Sequence, residues 1–248
     1  MMGSRSDRMD TQAAPPRSVG MVLFEGVTQL DLTGPYEVFA RMPNTQVHLL
    51  AATLAPVRTE WGLTITPTTT FDDASALDVL CVPGGWGVNA QLENAAMLQF
   101  LRRQSQHARF VTSVCSGALL IGAAGLLRGY RATTHWMSHD MLLLLGAVPV
   151  RERVVVDRDR ITGAGVTAGI DLSLVVAATL FGEGVAQSIE LAIEYDPAPP
   201  FRSGSPDTAP REIRDDVLRA SARALSERRA ILERVGARLI PQHLFPCI

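Results

Sequence analysis

The chain lacks most of the features that would assign it quickly. It has only three cysteines in 248 residues, Cys81, Cys115 and Cys247. An odd number without metal-type spacing argues against a disulfide framework, and it fits reduced thiols in a cytoplasmic setting. A basic excess is also missing. The net charge is −2, whereas a nucleic-acid module usually carries a clear positive balance, so no nucleic-acid partner is expected. No apolar run is long enough to span a membrane, and the stretch at 141–145 falls far short. The N-terminal residues are polar with no apolar core of a signal peptide, so residues 1–17 read as a disordered tail. His48, His107, His135, His139 and His243 form no cluster with ligand spacing, so no metal is expected. There is no dinucleotide glycine fingerprint, no Walker loop, no serine elbow and no internal repeat.

What is present is organised around Arg109-Phe-Val-Thr-Ser-Val-Cys115-Ser-Gly-Ala-Leu-Leu-Ile-Gly. A short apolar run ends at a cysteine, small residues follow, and a helical pattern begins. This predicts a strand turning sharply into a helix with a sulfur at the corner. Free N–H groups and the dipole at a helix start favour an anion, here the thiolate. The competing reading is a buried, inert cysteine, because free cysteine is among the most buried residue types. This stretch alone leaves both open.

The apolar fraction of 47% is enough for a sizeable core. Strand-like runs at 18–24, 47–53, 77–82 and 109–114 alternate with helical patterns at 33–42, 89–104 and 116–127. Thr33 is suited to cap the first of these helices, with Pro35 in its first turn. Residues 57–70 read as an antiparallel excursion at a sheet edge, and 153–162 as a hairpin around Asp157-Arg-Asp-Arg160. Further helices are predicted over 135–145, 167–181 and 186–195. The alternation predicts an α/β fold with a mainly parallel sheet covered on both faces. Residues 18–195 form the predicted domain, and 196–248 a linker followed by a helix over 211–239. Leu218, Leu225, Leu232 and Leu239 recur every seven residues in that helix, but Ala222 and Arg229 fill the flanking positions of a would-be seam. The helix is therefore expected to lie on its own domain or on a partner subunit.

Three candidate groups follow strand ends, where α/β folds bind ligands. Cys115 is the candidate nucleophile, with the Ser116 N–H and hydroxyl as donors and Gly117 keeping the turn slim. The glycines of Pro83-Gly84-Gly85-Trp86-Gly87 can aim backbone N–H groups into a cleft. Asp31, in Leu30-Asp31-Leu32-Thr33-Gly34-Pro35, is an acid among apolar neighbours. Burial would raise its pKa and make it a proton donor or shuttle; the alternative is a helix cap. His135 could orient a thiolate, although a packed or surface role is the commoner one. Cys81 reads as core.

Taken in order, Leu30-Asp31-Leu32-Thr33-Gly34-Pro35, Pro83-Gly84-Gly85, Val114-Cys115-Ser116-Gly117-Ala118, Thr134-His135-Trp136 and Thr167-Ala168-Gly169-Ile170-Asp171 resemble the DJ-1/PfpI superfamily, and within it the isonitrile hydratase branch. The resemblance covers residues 18–195, and Pro197-Ala198-Pro199-Pro200-Phe201 is similar to the same branch. It implies a flavodoxin-like three-layer sandwich, related to class I glutamine amidotransferases, and a homodimer. It also implies a cysteine nucleophile at Cys115 with an acidic partner at Asp31. Ser116 stands where peptidase-like members carry histidine, and Asp31 where many members carry glutamate, which speaks against protease and glyoxalase chemistry. The implied reaction is addition of water to an isonitrile to give an N-substituted formamide without an organic cofactor, with Gly85 and Ser116 as donors and Trp86, Leu32 and Ile170 as pocket wall. Two rival readings remain: the ligand-sensing domain found at the front of AraC-type regulators, and a redox or stress protein using Cys115 as an oxidisable thiol.

Overall fold

The computed structural model describes residues 16–239. The tail expected over 1–17 lies almost wholly outside them, as do His243 and Cys247. Strand β1 (Arg17–Val22) runs into helix α1 (Gln29–Phe39), which starts earlier than Thr33 would suggest. Thr28 precedes the first turn, and Pro35 sits inside the helix instead of opening it. Proline has no N–H to give the Asp31 carbonyl one turn back, a loss that ordinarily costs about 3 kcal/mol. Close packing against a later helix offsets it, since a Cβ placed on Gly169 would lie 2.8 Å from Pro35 Cγ.

Strand β2 (Thr45–Ala51) follows. The excursion then makes a separate antiparallel ribbon of β3 (Val57–Arg58) and β4 (Thr64–Ile65), and β5 (Thr69–Thr70) returns to pair with β2. Strand β6 (Val79–Val82) is wholly buried. The single helix expected over 89–104 is two, α2 (Val88–Gln91) and α3 (Ala95–Ser105). Asn94 breaks it, because its extended backbone lets the side chain accept the N–H groups of Ala96 and Met97 and cap α3. Strand β7 (Phe110–Val114) leads to α4 (Gly117–Ala123), which is shorter than predicted. After β8 (Arg131–Ala132), the helix predicted over 135–145 is found at Trp136–Leu145, wound as a 3-10 helix. Its buried pairs Ser138 and Met141, and Leu142 and Leu145, are three apart, the period of that helix. Strand β9 (Val148–Pro149), the hairpin of β10 (Val154–Asp157) and β11 (Arg160–Gly163), and helices α5 (Ala168–Phe181), α6 (Glu183–Ala192) and α7 (Arg211–Leu239) complete the described chain.

The main sheet has the order β10-β11-β7-β6-β1-β2-β5, parallel throughout except for β10. Helices α1, α5 and α6 pack together, as do α2, α4, α7 and the 3-10 helix. The result is a flavodoxin-like three-layer α/β sandwich. Strand order reverses between β1 and β6: the chain builds outward from β1 to β2 and β5, then returns to the other side of β1. The segments leaving β1, β6 and its neighbour β7 therefore open into one crevice at the carboxyl ends of the strands, where such sheets bind ligands.

Candidate functional site

Cys115 follows β7 with φ at +56°, in the left-handed region that non-glycine residues rarely occupy. Two bonds hold this strained corner. Its N–H donates to the Gly163 carbonyl at 3.0 Å, and its own carbonyl accepts the Thr134 hydroxyl at 2.8 Å. The turn is tight enough to require glycine at 117, since a Cβ there would overlap the carbonyl oxygen of Val82. Gly117→Ala is accordingly expected to cost about 2 kcal/mol or more. Urea unfolding measures this, and a change within about 0.5 kcal/mol, the scale of an innocuous surface change, would show that the corner yields.

Asp31 lies in the first turn of α1 and is fully buried. Its Oδ2 accepts the Gly84 N–H at 2.8 Å, and a Cβ on Gly84 would sit 2.8 Å from that oxygen and 2.6 Å from the Ser116 nitrogen. Glycine at 84 thus allows the carboxyl and the elbow to close on the loop after β6. Oδ1 has no conventional hydrogen-bond partner among the described residues. Burial pushes the Asp31 pKa up to about 7; the Gly84 N–H and the neighbouring Cys115 thiol pull it down less strongly, and the charge of Glu60 pushes it further up.

The thiol itself departs from expectation. Burial, then the charge of Asp31, raise the Cys115 pKa well above the ordinary thiol value. The Ser116 N–H and the charge of Arg228 pull the other way and lose. The seven-residue helix α4 does not outweigh desolvation of the sulfur. The resting pair is therefore a neutral thiol beside a carboxyl that titrates near neutrality, not a standing thiolate.

A small cleft of about 120 Å³ opens over the sulfur. It is lined by Thr28, Glu60, Gly85, Trp86, Cys115 and Ser116, with His135, Met137, Val166 and Arg228 on the remaining sides. Gly85, Trp86 and Ser116 are thus brought to the cysteine. Leu32 and Ile170 are not. Leu32 is 1% exposed in the core, and Ile170 packs on Gly34 in the α1–α5 contact. A one-residue step along α1 from Asp31 turns Leu32 about 100° away. Gly85 also differs from the donor role expected of it. Its N–H is already given to the Ser116 hydroxyl at 3.0 Å, and that hydroxyl lies 3.2 Å from the Gly85 carbonyl, to which it can donate. Ser116 and Gly85 hold each other, which leaves the Ser116 backbone N–H as the donor at the sulfur.

His135 lines the cleft, and burial together with the charge of Arg228 depresses its pKa to about 4, so it is neutral at physiological pH. Cys81 is fully buried mid-strand, where desolvation lifts its pKa to about 12. Among the described residues, no group of three or more His, Cys, Asp and Glu could hold a metal, and no helix is long and apolar enough to cross a membrane.

Sequence reasoning missed Glu60 and Arg228. Glu60 sits on the β3–β4 ribbon, and its Oε2 accepts the Trp86 backbone N–H at 3.3 Å. Arg228 comes from α7, more than a hundred residues after the elbow. It is one of eight arginines in that helix, but it lies three residues after Leu225 and four before Leu232, on the apolar stripe. That phase was the available signal.

The family model described as "DJ-1/PfpI family" matches residues 17–179. The chain is 53% identical over 221 residues to an isonitrile hydratase of Pseudomonas putida, covering 89% of this chain and 97% of that one. A solved structure of a ThiJ/PfpI family protein from Pseudomonas syringae superimposes with a TM-score of 0.87 at 40% identity, covering 94% and 97% of the two chains. The HTH-type transcriptional regulator GbdR of Pseudomonas aeruginosa is 30% identical over 190 residues, 73% of this chain and 51% of the regulator.

Proposed function

The chain belongs to the DJ-1/PfpI family, and from that premise we propose that it is an isonitrile hydratase in which Cys115 is the nucleophile and Asp31 the proton carrier. The observation that carries this reading is the juxtaposition of a buried thiol and a buried carboxyl, at a cleft too small for a large ligand. The 53% identity to the Pseudomonas putida hydratase supplies the substrate class.

An isonitrile R–N≡C needs both a nucleophile and a proton at the same terminal carbon, and a thiol–carboxylate pair delivers both. The Asp31 carboxylate takes the Cys115 proton as Sγ bonds to the carbon, then passes that proton to the carbon. The product is the thioimidate R–N=CH–S. Water next adds to this carbon. One of its protons reaches nitrogen, the C–S bond breaks, and the other proton returns through Asp31 to sulfur, releasing R–NH–CHO. The Ser116 N–H stabilises charge on the sulfur, and Trp86, Met137 and Val166 face the organic group. No step calls for a cofactor.

The protonation states fix the pH dependence. With Asp31 titrating near pH 7, the carboxylate that accepts the thiol proton is lost below that value. The expected kcat/KM for an alkyl isonitrile rises about tenfold per pH unit on the acid side and levels off above about pH 7. An activity that declines as pH rises through 7 would contradict the assignment of Asp31 as the initial base.

A homodimer is proposed on the family's account, with sedimentation velocity as its test. A cytoplasmic home is proposed because Cys81 and Cys115 are both unpaired. The competing reading is a ligand sensor, carried by the identity to the GbdR regulator. Saturable isonitrile binding without turnover would favour it.

A further inference from the structure

Arg228 is 3% exposed, yet among the described residues no carboxylate forms an ion pair with it. Its Nε donates to Asn89 Oδ1 at 2.7 Å, one terminal nitrogen to the Ser138 hydroxyl at 3.0 Å and the other to the Gly85 carbonyl at 3.2 Å. The guanidinium also lies over the Trp86 ring, 5.0 Å from its centroid. All three acceptors are neutral. Two of the five N–H groups of a guanidinium therefore have no protein acceptor among the described residues. Buried charges are ordinarily paired, and this one faces a cleft whose floor is Cys115.

Four charged or titratable groups surround the sulfur. Asp31 comes from α1, Glu60 from the β3–β4 ribbon, His135 from the segment before the 3-10 helix and Arg228 from α7. Asp31 opposes negative charge on sulfur, Glu60 acts on Asp31 and on Arg228, and His135 is neutral. Arg228 is the cation of the set. In the resting pair the sulfur is uncharged, and the charge of Glu60 across the cleft is what Arg228 feels until the thiol proton leaves.

The geometry points to Arg228 as a positioning residue for the known elbow: the C-terminal helix carries a preorganised positive charge into the cleft that holds the negative charge Cys115 acquires at each turnover. The inference rests on the reading of Cys115 as nucleophile. It makes α7 part of the active site and not merely a helix laid on the domain. Leu232 and Val235 are buried beneath the helix and Gly236 packs on the Leu144 carbonyl, so the packing that docks α7 also places the guanidinium. A charge fixed before the reaction stabilises developing charge without reorganisation.

The test is the rate of Cys115 carbamidomethylation by iodoacetamide from pH 6 to 9, in the full chain. It needs no isonitrile, so inactivity towards isonitriles would sink the hydratase reading and leave this result standing. Arg228→Gln should slow alkylation about tenfold at each pH, because thiolate becomes scarcer by about one pH unit. Arg228→Lys keeps the charge and should stay within about threefold of wild type. The double variant Asn89→Ala with Ser138→Ala removes two acceptors but keeps the charge, and should also stay within about threefold. Wild-type rates in a folded Arg228→Gln protein, or an equal slowing in the double variant, would overturn the inference. Should Arg228→Gln not fold, Arg228→Lys decides it: a rate near wild type supports the charge, and a tenfold loss with an intact thermal transition refutes it.

Discussion

Cys115→Ala is expected to lose isonitrile turnover by about 10⁴-fold or more, with the protein still folded. The sulfur forms the covalent bond in the proposed route, and the Ser116 hydroxyl in the same cleft is engaged with the Gly85 backbone. Cys81 cannot substitute, being fully buried within β6. The fold should survive because the change removes one small buried atom from a corner pinned through its backbone by Gly163 and Thr134. An unchanged thermal transition separates lost chemistry from lost structure. Residual activity within tenfold of wild type would mean that water is activated without the thiol.

Asp31→Asn should lower kcat by about 10² to 10⁴, the range for a positioned acid–base group, and should stabilise the protein at alkaline pH. The Asp31 pKa is raised from 3.8 unfolded to about 7 in the folded chain. A carboxyl shifted this way favours the folded state while protonated. Its contribution is fully present below about pH 4 and is lost as pH rises through about 7. About three pH units correspond to roughly 4 kcal/mol. Asparagine keeps an oxygen for the Gly84 N–H but carries no buried charge. Thermal melts should therefore show the variant several degrees above wild type at pH 8, with the gap closing near pH 4. A gap independent of pH would show that Asp31 is not the desolvated group described here. Lower activity with higher stability is the expected exchange where function holds a charge in an unfavourable place.

Much of this arrangement was legible because it is local. The apolar run ending at Cys115 and the small Ser116-Gly117 pair specify a strand–elbow–helix unit through side-chain size and backbone strain. Helix α7 carried its full length in the leucine repeat. Errors arose where a distant contact overrode a local preference. Pro35 argued for a helix start, but packing on Gly169 allows it within α1. Gly85 suggested a free donor, but its N–H is used by Ser116, across two strands. The helix start at α4 suggested a thiolate, and burial beside Asp31 reversed it. Arg228 was hidden for another reason. Only the docking of α7 against the loop after β6 makes one arginine among eight part of the cleft.

The most direct test of the central claim is formamide production from cyclohexyl isocyanide and a panel of alkyl and aryl isonitriles, followed by chromatography with wild type and Cys115→Ala side by side. The predicted result is accumulation of the N-substituted formamide with wild type and none above background with the variant. A well-folded wild-type protein that leaves the whole panel unconverted would contradict the account.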